Sequence, residues 1–417
     1  LTENTEELRA EIRARLPKTF PSRLGVAVSG GGDSVALLLL LNDIAKNEQV
    51  KLFAATVDHG LRPESAVEAQ KVSELAARLG ISHQTLKWTG WAGQGNLQDQ
   101  ARQARYRLLT EWATHNAISA IALGHTADDQ AETFLMRLAR AAGVTGLSGM
   151  PVERILDGVT ILRPMLGVTR QALRGYLSGE GVGWIEDPSN QDLRFDRIKA
   201  RQALSDLKDL GITASSLTRV AENLSQAREA LERFTQESAR KIAVVETGDV
   251  CLDRTAFQSL PQEIQRRLVI GCIAWIAGAG YPPRQTSVDQ AVKAVEEGIA
   301  TSINGCLFVP KVNKTWICRE LNAVQGEIAR PGEPWDKRWI LSGPSTAGVQ
   351  IRPLGEQGLP RVPDWRDLGK PRQVLLASPA VWLGDELVSA PTARLLNGWT
   401  AELAPGTPEF HSSFLSH

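Results

Sequence analysis

The run VAVSGGGDSVALLLLL, residues 26–41, constrains the fold more than any other stretch. Alternating Val and Ala between Gly25 and the glycines predicts a buried strand, and the apolar run from Val35 predicts a buried helix. Between them lies the turn Ser29-Gly30-Gly31-Gly32-Asp33-Ser34. Glycines let a backbone bring several N–H groups onto phosphate oxygens, and the helix N-terminus adds partial positive charge. Ser34 is placed to cap that helix, and Ser29 to add a hydroxyl donor. No Lys follows the glycines, so this is not G-x-x-x-x-G-K-[ST], and the spacing is not G-x-G-x-x-G. An acid at position 33 would repel phosphate unless it holds Mg²⁺. The plain alternative is a glycine-rich turn that caps a helix and binds nothing.

Further strands are expected at Lys51–Val57, near 82–86 and at 119–123, with helices between them over 65–79 and around ARQARYRLL. That alternation predicts an α/β fold with a doubly wound parallel sheet, whose ligand sits at the carboxyl ends of the strands. The informative residues fall at those ends: the glycine turn, Asp58 to Arg62, and Gly124-His125. Thr126 reads as the N-cap of the next helix and Asp129 as its third residue, which is the spacing of a capping box. Glu132 shares the face of Asp129 and has no such bland explanation.

At 417 residues, two or three domains are expected. Past about residue 205 the pattern reads as helical to about 325, then a linker at 326–334, then a small β-rich segment over 335–417 ending in a frayed tail. Forty-seven basic residues balance 47 acidic ones, so RNA binding has no global support and needs local basic patches. Cys251, Cys272, Cys306 and Cys318 show no C-x-x-C spacing, which argues against a disulfide framework or a metal cluster. No apolar run spans a bilayer, and the charged start LTENTEELRAEIRARL is unlike a signal peptide, so no membrane partner and a cytoplasmic location are expected.

The turn resembles S-G-G-x-D-S, the PP-loop of ATP pyrophosphatases, which cut ATP between the α and β phosphates. The stretches VDHGLRPES, NLQDQARQARYRLL, LGHTADDQAETFLMRLARAAGVTGLSGM, RPML and DPSNQDLRFDRIKAR together resemble the tRNA(Ile)-lysidine synthetase family over residues 24 to about 205. The resemblance implies ATP and Mg²⁺ as cofactors, and L-lysine and a tRNA(Ile) with a CAU anticodon as partners. ATP would adenylate the C2 oxygen of the first anticodon cytidine, and the lysine ε-amine would displace AMP. It assigns Ser29, Gly30, Gly31, Gly32, Asp33 and Ser34 to ATP, with Asp33 on the metal. It assigns His125, Asp129, Glu132, Arg105 and Arg201 to the ATP and lysine sites. Phe195, Ile198 and Ala200 depart from the family pattern, while Arg197 and Arg201 keep their places. Oligomeric state stays open, a homodimer included.

The chemistry of these residue types agrees. A lysine ε-amine with a pKa of about 10.4 arrives protonated, and a carboxylate pair such as Asp129 and Glu132 could recognise it and relay its proton. Arg105 and Arg201 suit bidentate holding of phosphate or carboxylate. The alternatives are another PP-loop enzyme, such as a tRNA thiolase or a GMP-, NAD- or asparagine-forming synthetase, and a nucleotide-binding module without chemistry. The thiolase calls for paired cysteines near the loop, the glutamine-dependent synthetases for a glutaminase cysteine, and the module for no acids facing phosphate.

Overall fold

The computed structural model describes residues 3–60, 65–89, 97–186, 196–278, 283–344 and 347–415. Trp91, Asn96, Arg62, Phe195 and the turn Pro188-Ser189-Asn190 lie outside them. The chain divides into two compact units between Arg228 and Glu229.

The first unit runs α1 (Glu3–Ala14), β1 (Arg23–Ala27), α2 (Gly32–Glu48), β2 (Lys51–Asp58), α3 (Ser65–Arg78), β3 (Ser82–Lys87), α4 (Leu97–His115), β4 (Ala120–Leu123) and α5 (Ala127–Leu138). A helical turn α6 (Val144–Leu147), a hairpin β5 (Glu153–Leu156) and β6 (Val159–Leu162), α7 (Arg170–Gly179) and α8 (Asp196–Asp206) follow. The sheet order is β3-β2-β1-β4-β6-β5, parallel except for β5. Period-two alternation sorts the strand residues onto its two faces. Leu24, Val26, Leu52, Ala54 and Ala122 pack with the leucines of α2 on one face. Phe53, Ala55, Ile121 and Leu123 pack with Leu109 and Trp112 of α4 on the other. Helices on both faces leave only the strand ends open. The order reverses between β1 and β4, the switch point where such sheets open a crevice. The glycine turn follows β1 and Gly124-His125 follows β4.

The second unit corrects the expectation of purely helical structure up to residue 325. A long helix α9 (Ala214–Ile242) contains the boundary, and a five-stranded antiparallel sheet follows it. Its strands are β7 (Ala243–Glu246), β8 (Asp249–Asp253), β9 (Thr301–Ile303), β10 (Cys306–Lys311) and β11 (Lys314–Arg319), in the order β7-β8-β11-β10-β9. Between β8 and β9 come α10 (Arg254–Gln258), α11 (Gln262–Ala277) and α12 (Gln285–Glu297). The strands escape a periodicity search because they are three to six residues long. The turns were the available signal: Asn304-Gly305 has φ of 50° and 71°, the left-handed pair that closes a two-residue hairpin. Leu268, Cys272 and Ile276 of α11 close over Val250, Phe308 and Ile317.

The expected β-rich segment is present as β12 (Trp339–Ser342), β13 (Val349–Pro353), β14 (Pro379–Leu383), β15 (Glu386–Ser389) and β16 (Thr400–Leu403), forming a two-stranded and a three-stranded sheet. The stretch read as a linker is packed, since Ala329 exchanges backbone hydrogen bonds with Ile351 at 3.1 and 2.9 Å. The tail read as frayed is docked: Phe410 and Phe414 join the core of α11, and the Trp275 indole donates to the Pro408 carbonyl at 2.9 Å.

Candidate active site

The loop after β1 has the backbone that phosphate binding asks for. Gly30 sits at φ +85°, where a side chain is strained, and a Cβ there would lie 2.8 Å from Ile185 Cδ1. At Gly32 a Cβ would press on the Trp184 ring at 3.3 Å. Ile185 donates its N–H to the Gly30 carbonyl at 2.9 Å, so the 184–185 segment braces the loop. The N-terminus of α2 has no side-chain cap. Ser34 therefore does not cap it: lying two residues inside the helix, its hydroxyl turns back to accept from Ser29 N–H at 3.1 Å and to donate to the Gly31 carbonyl at 2.9 Å. Ser29 Oγ lies 3.2 Å from Ser34 Oγ.

Beside the loop, α5 opens with the expected capping box. Asp129 Oδ2 accepts from Thr126 N–H and Oγ1–H, both at 2.9 Å. Its other oxygen is free of the cap and takes the Arg170 Nη2–H at 2.7 Å, with Arg197 Nη2 at 3.6 Å. One carboxylate thus serves both readings, each with its own oxygen.

Arg170, at the start of α7, has no counterpart in the sequence expectations. Its Nε donates to Asp33 at 3.1 Å, its Nη1 to Glu132 at 2.7 Å and its backbone N–H to Asp128 at 2.7 Å. Glu132 lies under a layer of cations: Arg201 Nε donates to Oε1 at 2.9 Å, and Arg197 Nε is 3.1 Å from Oε2. The Glu132 side chain is 1% exposed, against 11% for Asp129 and 28% for Asp33. Sharing a helix face does not give the two acids the same access.

Electrostatics follow from this packing. Burial raises the Asp33 carboxyl above the ordinary range, with Asp129 and Asp128 adding to the rise and Arg170 opposing it. Burial also works against ionisation of Asp129, but Arg170 and Arg197 outweigh it and hold that carboxyl low. Burial drives the His125 imidazole far below its usual value, so it is neutral at pH 7; its Nδ1 has no hydrogen-bond partner among the described residues. Arg105 is pushed down by burial and its Nε also lacks a partner among the described residues.

Ser29, Asp33, Arg105, His125, Asp129 and Arg170 line one cleft of about 930 Å³, a size suited to a nucleotide and a small substrate. Glu132 is not on its wall.

A family profile described as a PP-loop domain matches residues 4–207. A tRNA(Ile)-lysidine synthase from Ruegeria pomeroyi is 52% identical over 417 residues, covering 100% of both chains. One from Wolbachia pipientis is 34% identical over 89% of each chain, and one from Rhodopseudomonas palustris is 39% identical over 66% of this chain and 80% of its own. The chain belongs to the tRNA(Ile)-lysidine synthase family.

Of the positions matched to the lysidine synthase pattern, the loop residues other than Gly30, with His125, Asp129, Arg105 and Arg201, meet at one cleft, and Glu132 sits behind them. Of the departures, Ala200 is buried on α8, where a small apolar residue suits packing against α5, and Ile198 is half-buried. The segment 143–149 is held by α5: Arg137 Nη1 donates to the Gly146 and Gly149 carbonyls at 2.7 and 3.0 Å. Arg170, Trp184 and Ile185 were missed because their partners are remote in sequence; RPML ends four residues before Arg170 and was the only nearby signal.

Proposed function

We propose that this chain, an ATP-dependent ligase of the lysidine synthase family, joins L-lysine to C2 of the first anticodon cytidine of a tRNA(Ile) with a CAU anticodon. The C2 oxygen attacks the α-phosphorus of ATP and pyrophosphate leaves. The lysine ε-amine then forms the C2–N bond, AMP departs with the oxygen, and the amine gives up its proton. The observation that carries this reading is the sharing of one cleft by the glycine loop and the outward oxygen of Asp129.

The roles follow from placement. Loop N–H groups and the uncapped α2 terminus receive phosphate. Asp33 is the residue that would hold Mg²⁺, an ion commonly bound by one or two carboxylates together with substrate phosphates. Such an ion would supply neutralisation of the leaving pyrophosphate. Asp129, kept ionised by its arginines, receives the ammonium, and Glu132 anchors Arg170, Arg197 and Arg201 behind it. Arg105 and the neutral His125 complete the wall.

The unit after residue 228 is assigned to tRNA docking, where Arg352 over Trp382 at 4.9 Å and Arg366 over Trp365 at 4.5 Å offer local cationic surface. No helix of the described residues is long and apolar enough to cross a membrane, and a tRNA substrate fits work in the cytoplasm. A thiolase fits less well, because all four cysteines are buried and lie in the other unit. The test is the mass of nucleosides after incubation with tRNA(Ile), ATP and lysine. A lysine-sized gain on one cytidine is expected, and an unmodified or sulfur-bearing product would overturn the reading.

A further inference from the structure

Arg170 joins the phosphate loop to α5 across the cleft. Three of its nitrogens reach three carboxylates: Asp33 in the phosphate loop, and Asp129 and Glu132 on α5. Three further features limit what it can do. Its side chain is 20% exposed and lines the cleft, so a ligand can reach it. Its backbone N–H is tied to Asp128, so the helix start stays put while the guanidinium turns. Three carboxylates face three guanidiniums, those of Arg170, Arg197 and Arg201, so the formal charge of the cluster is balanced.

An ammonium that takes the outward oxygen of Asp129 must share it with, or take it from, Arg170 Nη2. Either way the balanced cluster gains a positive charge, and where the oxygen is taken a guanidinium N–H loses its partner. The nearest destination for that N–H is the phosphate loop, to which Arg170 stays tied through Asp33. Phosphate brings the opposite charge. A cationic ligand that takes the carboxylate of an ion pair and an anionic ligand that takes its guanidinium each improve the other's binding.

We propose that Arg170 is a positioning residue that couples lysine recognition to nucleotide binding by exchanging its Asp129 contact for phosphate when the ammonium arrives. The inference rests on Asp129 being the lysine contact. It predicts that each ligand tightens the other and that removing the guanidinium abolishes this reciprocity without abolishing either site.

The test is calorimetric titration of the full chain with lysine, with and without Mg²⁺ and an ATP analogue carrying a methylene bridge between its α and β phosphates. For the native chain, the analogue should tighten lysine binding by about 5-fold or more. In Arg170→Ala, lysine should still bind without nucleotide, while the effect of the analogue on its affinity disappears. Arg170→Lys, which keeps the charge but not the fork, should restore part of the effect. Native-like coupling in Arg170→Ala overturns the inference. So does an equal loss of both affinities with a lower melting temperature in both variants, the signature of a static counter-ion. Asp129→Asn separates the two levels: unchanged lysine affinity there would overturn the lysine site itself, and the coupling with it.

Discussion

Replacing Glu132 by Gln keeps the shape of the side chain and removes the charge that holds three arginines. In the native arrangement Glu132 meets Arg170 at 2.7 Å, Arg201 at 2.9 Å and Arg197 at 3.1 Å, with 1% of its side chain exposed. A hydrogen bond to a charged partner is worth about 1 kcal/mol more than a neutral one, so the bonds from Arg170 and Arg201 put about 2 kcal/mol at stake, and the ion pair with Arg197 adds to it. Arg170, Arg201 and Arg197 are 20%, 38% and 39% exposed, so each recovers some hydration, and Arg170 keeps Asp33 and Asp129. About 2 kcal/mol is a fair expectation, well short of the 3–5 kcal/mol, roughly, for stranding a fully buried charge. For a unit of this size that lowers the melting temperature by about 4–8 °C. Calorimetry at pH 7 reads it on the transition that ATP shifts upward, since only the unit that binds ATP gains from it. With the arginine layer loosened, adenylation and lysine transfer should fall together in single-turnover assays, whereas Asp129→Asn should depress transfer far more than adenylation. A native melting temperature with transfer alone lost would refute the reasoning and return Glu132 to direct contact with the amine.

Two further predictions follow from the same geometry. Gly30→Ala places a Cβ at φ +85° against Ile185 Cδ1 at 2.8 Å; left-handed strain plus mild overpacking come to about 2 kcal/mol, read as roughly 30-fold weaker ATP binding, and an affinity within a factor of three of native would contradict the loop's role. Burial depresses the imidazole pKa of His59, His83 and His125. Between the depressed native values and the ordinary value of about 6.5, these histidines bind more protons in the unfolded chain, so their contribution to stability is full above about pH 6.5 and is lost as pH falls below it. Urea midpoints at pH 8 and pH 5.5 measure this, and His125→Asn should flatten the slope; an unchanged slope would mean that this imidazole is not buried neutral.

The sequence by itself determined the features whose causes lie within a few residues of each other. The glycine turn, strands β1 to β4 with helices α2 to α5, and the Thr126–Asp129 capping box are local patterns of period, glycine placement and cap spacing, and they stand in the fold where they were read. The family was legible for the same reason, because its motifs are contiguous. Tertiary structure decided what depends on remote partners. Asp33 and Arg170 are 137 positions apart, and an ion pair at that separation leaves no local period to find. Spacing put Asp129 and Glu132 on one face of α5, but only the packing of α7 and α8 turned one oxygen of Asp129 to the cleft and sealed Glu132 beneath three guanidiniums. The short strands after residue 242 illustrate the same limit, since three to six residues become a sheet through their neighbours' hydrogen bonds, and that pairing is a property of the assembled fold.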